Sequence, residues 1–188
     1  GLEPPPIPSN DCPMPPDLPA APLPPWKSEL DAIIGARHGG AGATLIQRLR
    51  ELDQRYPNVA EINFQLAWTC EILDRTREAV AYYEKALTLG LTPNDHAAAL
   101  LGLGASLRTI GESARAVETL RTARTLFPDN HEFGVFLALA LHDTKQHTEA
   151  MQLLLHLLTE TSDDPGIVAH QRAIRFHAAQ LSGHPGAT

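Results

Sequence analysis

The feature that most constrains this chain is a spaced pattern of large and small residues between Leu100 and Pro128. It runs Leu100, Leu103, Gly104 and Leu107, then Gly111, then Ala116, Leu120 and Ala123, then Pro128. Spacings of three and four on either side of Gly111 put each set on one helical face, so the stretch predicts two helices joined by a tight turn. A step of 34 residues reaches Gly134, Leu137, Ala138 and Leu141, then Ala150, Leu154 and Leu157. A step of 37 residues back reaches Asn63, Leu66, Ala67 and Cys70, then Ala79, Tyr83 and Ala86, which implies a three-residue insertion near Leu91 to Asp95. Gly104, Ala67 and Ala138 fall where a first helix closes on its own second helix, opposite Ala116, Ala79 and Ala150. One such hairpin cannot bury its apolar face, so neighbours must stack and share a continuous core. Gly111 suits a left-handed turn; Asp74 and Lys145 stand at the same place in the other copies and should weaken those turns.

These residues, with the run from Leu100 to Asn130, resemble the tetratricopeptide repeat, and the chain is similar to its bacterial group-5 members. The resemblance carries a fold and no reaction. It implies an all-α protein, an α-solenoid of stacked helix–turn–helix repeats closed by a C-terminal capping helix. The expected division is a proline-rich tail over 1–25, a degenerate repeat over 26–59, three repeats over 60–96, 97–130 and 131–164, a capping helix over 165–181, and a frayed end over 182–188. In the degenerate repeat, Leu45, Leu49 and Leu52 stand in for the second-helix positions. Its helices are expected over Trp26 to His38 and Ala43 to Tyr56. The glycine-rich loop from Gly39 to Thr44 lacks the lysine of a phosphate-binding loop and reads as a turn.

Helix starts are signed along the chain. Asn58 with Glu61 and Asp129 with Glu132 match the capping-box spacing. Thr92-Pro93 and Asp164-Pro165 each place a capping side chain before a proline at the first helical position.

In proteins of this resemblance the first helices line a concave groove. Aligning the repeats at Trp26, Ala60, Ala97, His131 and Pro165 brings Leu30/Ile34, Phe64/Trp68, Leu101/Ala105, Val135/Leu139 and Ala169/Ala173 to the groove floor. Arg37, Glu71, Arg108, His142 and Phe176 then line one side. Relatives that hold a C-terminal carboxylate use lysine, arginine and asparagine on this floor; here it is apolar, and a buried carboxylate would lack partners. The groove is therefore expected to take an apolar helical or extended peptide, anchored by Phe64 and Trp68. The competing reading is that Trp68 only completes packing between helices.

Of the 16 prolines, 11 lie between Pro4 and Pro25, where polyproline II is the natural conformation. The segment carries Glu3, Asp11 and Asp17 as its only charges, and its readings are a spacer, a ligand for a proline-binding domain, or a docked arm. At about 3.1 Å per residue it reaches on the order of 75 Å, enough to span a groove of roughly 40–50 Å in its own or a neighbouring copy. Self-association through the tail is thus the alternative function.

Composition narrows the rest. A net charge of −7 and a pI near 5.7 argue against a nucleic-acid or anionic-membrane partner. No apolar run is long enough for a membrane span and no basic-then-apolar signal stands at the start, so the cytoplasm is the expected compartment, with the start of the chain open to earlier trimming. Cys12 and Cys70 are too few for a disulfide scaffold, and Cys70 falls on the core side. His142/His147 and His170/His177 are the nearest approach to a ligand pattern, and neither has metal-ligand spacing. No nucleophile–base arrangement is present. The chain is expected to work without catalysis, cofactor or metal, on a protein or peptide partner.

Overall fold

The computed structural model describes residues 20–39 and 42–182. Most of the proline tract, Gly40 and Ala41 of the glycine-rich loop and the segment from Gly183 onward lie outside the described residues. Helix α1 (Lys27–Gly35) runs into a 3₁₀ turn (Ala36–Gly39), and α2 (Gly42–Arg55) follows. The next three hairpins are α3 (Ala60–Ile72) with α4 (Thr76–Leu89), α5 (Pro93–Thr109) with α6 (Ser113–Leu126), and α7 (Glu132–Asp143) with α8 (His147–Thr161). Helix α9 (Pro165–Ala179) ends the described chain, and no strand occurs among the described residues. Each helix packs mainly on its neighbours in sequence, and first helices also touch from one repeat to the next, α3 with α5 and α5 with α7. The fold is the expected all-α solenoid.

The spaced positions build the core. Leu66, Ala67, Cys70, Ala79, Ala86, Ala116, Leu120, Ala123, Leu137 and Leu141 are fully or almost fully buried. A side-chain carbon on Gly104 would stand 2.6 Å from Leu120, so only glycine lets α5 approach α6 so closely. In the last hairpin the sizes are exchanged. Gly134 stands where the hairpin before it has Leu100, and Leu157 stands where it has Ala123; a carbon on Gly134 would lie 2.6 Å from Leu157. Volume is conserved although the residues trade places.

The turns keep one conformation with different residues. Gly111, Asp74 and Lys145 have φ of 86°, 57° and 66°, all left-handed. In each, the residue after the left-handed one donates its backbone N–H to a carbonyl of the preceding helix: Arg75 to Cys70, Glu112 to Leu107 and Gln146 to Leu141, all at 2.8 Å. That closure terminates the helix as a glycine end would.

Four expectations are corrected. The α-helical part of the first hairpin stops at Gly35, with the 3₁₀ turn taking up residues 36–39. Leu30, expected on the groove floor, is 1% exposed and belongs to the core with Ile33, while Ile34 packs half-buried against it. Counting from Lys27 rather than Trp26 puts Leu30, Ile33 and Ile34 at the core positions held by Leu100, Leu103 and Gly104; a one-residue shift turns the helix by about 100°. Neither capping box forms. Asn58 takes a left-handed φ of 64°, and the starts of α3 and α7 have no side-chain cap bond. Thr92 does precede Pro93 at the start of α5 but caps with no side-chain bond, whereas the Asp164 carboxylate accepts from Gly166 and Ile167 N–H at 2.9 and 3.0 Å.

The outer face is tied by ion pairs between successive second helices: Arg50 with Glu78 at 2.6 Å, Arg115 with Glu84, and Arg121 with Glu149 at 2.7 Å. No helix among the described residues is long and apolar enough to cross a membrane.

Candidate functional site

Three first helices and one second helix enclose a hollow of about 300 Å³ on the inner side of the stack. Helix α3 supplies Phe64, Trp68 and Glu71, α4 supplies Tyr83, α5 supplies Ala98, Leu101, Gly102 and Ala105, and α7 supplies Phe136. Phe64 is the floor, 6% exposed, and Trp68 is the wall, 45% exposed. Their ring centroids lie 6.4 Å apart, and Phe64 meets Tyr83 at 6.2 Å.

The hollow is apolar but has an ordered polar edge. The Arg37 guanidinium lies 4.4 Å above the Trp68 ring while its Nη2 donates to Gln65 Oε1 at 2.5 Å. Its Nε is buried and finds no partner. Burial lowers the Arg37 pKa from its ordinary value. Tyr83 donates its hydroxyl to Glu71 Oε2, and Ser106 donates to the other carboxylate oxygen at 2.9 Å. Burial, followed by that bond to a carboxylate, drives the Tyr83 phenol far above its ordinary pKa, so it remains a neutral donor. Both Glu71 oxygens are thus engaged by the protein itself.

Of the expected groove residues, the hollow brings together Phe64, Trp68, Glu71, Leu101 and Ala105. Leu139 and His142 line a second concavity, with Ala138, His147, Ala150, Met151 and Leu154. Val135 is exposed, and Arg108 is committed to Asp143 through Nε at 2.5 Å. Phe176 is 61% exposed on α9, apart from the residues that line the hollow. Sequence reasoning missed Tyr83, Gly102 and Phe136. Tyr83 reads as packing within its own hairpin, and Gly102 and Phe136 each follow a floor position by one residue, a place that becomes visible only once neighbouring first helices are laid side by side. No group of three or more His, Cys, Asp and Glu side chains able to hold a metal occurs among the described residues.

A stack of antiparallel helix pairs with small residues at the close crossings of its last three hairpins is a helical-repeat solenoid, a class whose extended concave surfaces hold other proteins. The tetratricopeptide repeat family model matches residues 60–181, and the chain belongs to that family. Among solved structures, MamA from Desulfovibrio magneticus RS-1 is 21% identical with a TM-score of 0.62, the match covering 82% of this chain and 89% of that one. Pseudomonas aeruginosa PilF is 14% identical with a TM-score of 0.62, covering 86% and 78%. YrrB, described as a tetratricopeptide repeat protein with an unusual peptide-binding site, is 12% identical with a TM-score of 0.54, covering 84% and 99%. At these identities the likeness is one of fold. No curated protein matches the chain.

Proposed function

We propose that the chain is a non-catalytic protein-interaction module that takes an apolar peptide, helical or extended, into the hollow at Phe64 and Trp68. One observation carries this reading: an indole 45% exposed at the wall of an otherwise apolar concavity. Aromatic side chains in such positions dominate interface energetics, and Arg37 stacked on the ring holds it ready before a partner arrives. No lysine, arginine or histidine lines the hollow itself, Arg37 stands at its edge over Trp68, and the Glu71 carboxylate in the lining repels a second one, so the ligand is apolar at this point rather than a chain terminus.

The test is anisotropy of two labelled peptides, an amphipathic apolar helix and the chain's own residues 1–25, against the wild type, Trp68→Ala and Ala105→Glu. Both substitutions sit at the surface of the hollow and should keep helical content. Saturable binding of the helix peptide, lost in both variants, supports the reading; binding that survives both, or none with either peptide, refutes it. If only residues 1–25 bind, the alternative holds, in which the tail docks into its own or a neighbour's groove and the protein associates with itself.

A further inference from the structure

At the three interior junctions the second helix of a repeat is covered by the first helix of the next, and in α2 the equivalent residues Ile46 and Leu49 are 3% and 0% exposed. Val80 and Tyr83 of α4 are 6% and 2% exposed, and Val117 and Leu120 of α6 are 8% and 0%. The same positions one repeat later are Met151 and Leu154 of α8, which are 51% and 40% exposed. Leu158, one turn further along the same stripe, is 42% exposed. The cause is the path of α9. Its residues Arg175, Ala178 and Ala179 face Glu149, Gln152, Leu153 and His156 of α8 and Arg124 of α6. Gln152 Nε2 donates to the carbonyls of Ala178 and Leu181, both at 3.0 Å, and Arg175 donates to Thr159 at 2.9 Å. Helix α9 therefore covers α8 from one side and makes no contact with α7 comparable to those α5 makes with α3 or α7 with α5. Among the described residues nothing covers the side of α8 equivalent to the one that α5 occupies on α4 and α7 on α6. That side forms, with Leu139 of α7, a concavity of about 430 Å³ whose only titratable lining residues are His142 and His147.

We propose that this open end is covered by a second copy of the chain, so that the protein pairs two-fold through its C-terminal hairpin. Three observations select that occupant. The face continues the inter-repeat interface that the chain already builds three times, so its complement is an apolar helix surface. The same molecule also presents apolar groups on a helix: α9 leaves Val168 and Phe176 47% and 61% exposed, on either side of Arg172. A concavity and an apolar helix face carried by one chain satisfy a two-fold pairing, in which each copy gives and receives the same contact. Finally, the six side chains expose on the order of 500 Å² per copy, or about 1,000 Å² when paired, which reaches the lower bound of a specific interface, the size class of weak and reversible association.

The experiment is sedimentation equilibrium of the full chain from about 5 to about 300 μM, a range in which a weak dimer both forms and dissociates. It compares the wild type, Met151→Glu/Leu158→Glu, Trp68→Ala and a chain lacking residues 1–25. The substituted positions are half-exposed in the single chain, so folding, checked by circular dichroism, should be retained. The expected result is a monomer–dimer equilibrium weakened at least about a hundredfold by the paired glutamates, since the interface would desolvate four carboxylates without partners. Trp68→Ala and the truncated chain should dimerise as the wild type does. A monomer at every concentration overturns the proposal, as does a dimer indifferent to the glutamates or one lost only on removal of residues 1–25.

Discussion

Gly102 is the position where packing and helix propensity disagree most sharply, so Gly102→Ala tests the account of the α4–α5 junction. Propensity alone favours alanine in a helix by about 1 kcal/mol. Packing opposes it. An alanine Cβ would lie 2.5 Å from Tyr83 Oη and 2.9 Å from Cε2, with Cζ also inside contact distance, where ordinary contact begins at 3.4 Å. The ring must retreat by roughly 1 Å, yet it is 2% exposed, backed by Phe64, and bonded through its hydroxyl to Glu71. Overpacking costs about 1–3 kcal/mol, and loosening a hydrogen bond to a charged acceptor about 1.5–3 kcal/mol more. Against the propensity gain, the net is a loss of about 1.5–5 kcal/mol, a fall in Tm of about 3–20 °C for a chain of this size. Gly35 supplies the control, because a carbon added there meets nothing within 4 Å; Gly35→Ala should leave Tm unchanged or raise it slightly. Thermal melts by circular dichroism read both. A Gly102→Ala protein as stable as the wild type would show that the junction is loose and that the hollow above it is not preformed.

Three further outcomes follow from the same contacts. The buried Cys70 thiol has its pKa pushed up to about 11 by burial. In a Cys12→Ser background it should therefore resist alkylation at pH 8 until the chain unfolds. Its folded pKa lies above the ordinary 9.0, so the stability it contributes is complete below pH 9 and is lost as pH rises toward 11, which alkaline melts would reveal. Asp74→Gly and Lys145→Gly should each raise stability by up to about 1 kcal/mol in urea melts, because glycine takes the left-handed turn without steric cost; Gly111→Ala should lower it by a similar amount. The Glu149 carboxyl, bonded by Arg121, is held below its ordinary 4.5. The stabilisation it gives is present above that value and fades as pH falls further, so Glu149→Gln should narrow the difference in Tm between pH 7 and pH 3 by only about 1 °C, the size expected of an exposed pair.

The period, the hairpins and the close crossings were legible because they rest on size at fixed spacing, and size is written in the residue name. Gly104 against Leu120 and the left-handed turn at Gly111 are of this kind. What was less legible depends on phase or on competition. The first hairpin carries the apolar pattern one residue later than its neighbours, which moved Leu30 from the surface to the core. Asn58 offered a capping oxygen, but its own left-handed backbone turned it away from the helix start. The path of α9 was hidden because the helix offers two apolar stripes. Ile167, Ile174 and Ala178 form one, and Val168, Ala173 and Phe176 the other; the sequence does not rank them, whereas the bonds of Gln152 to the end of α9 do.

The hollow itself comes from a departure from regularity. Where successive repeats meet, the second helix offers Tyr83 at one junction and Leu120 at the next, and the following first helix answers with Gly102 and Phe136 at equivalent places. The large residue precedes the small at the first junction and the order reverses at the second. Tyr83 fills the space beneath Gly102, and the surface above that glycine has no side chain. On either side stand Trp68, one repeat earlier, and Phe136, one repeat later, both in the lining of the hollow. A solenoid with identical junctions would level this floor. Restoring regularity with the pair Tyr83→Leu and Gly102→Phe adds roughly a phenyl ring of net volume, which the hollow of about 300 Å³ can take up, so the pair should keep the fold while filling the hollow. If the Phe64–Trp68 reading holds, that pair abolishes peptide binding in a chain that still folds, at a cost of about 1.5–3 kcal/mol for the lost Tyr83–Glu71 bond.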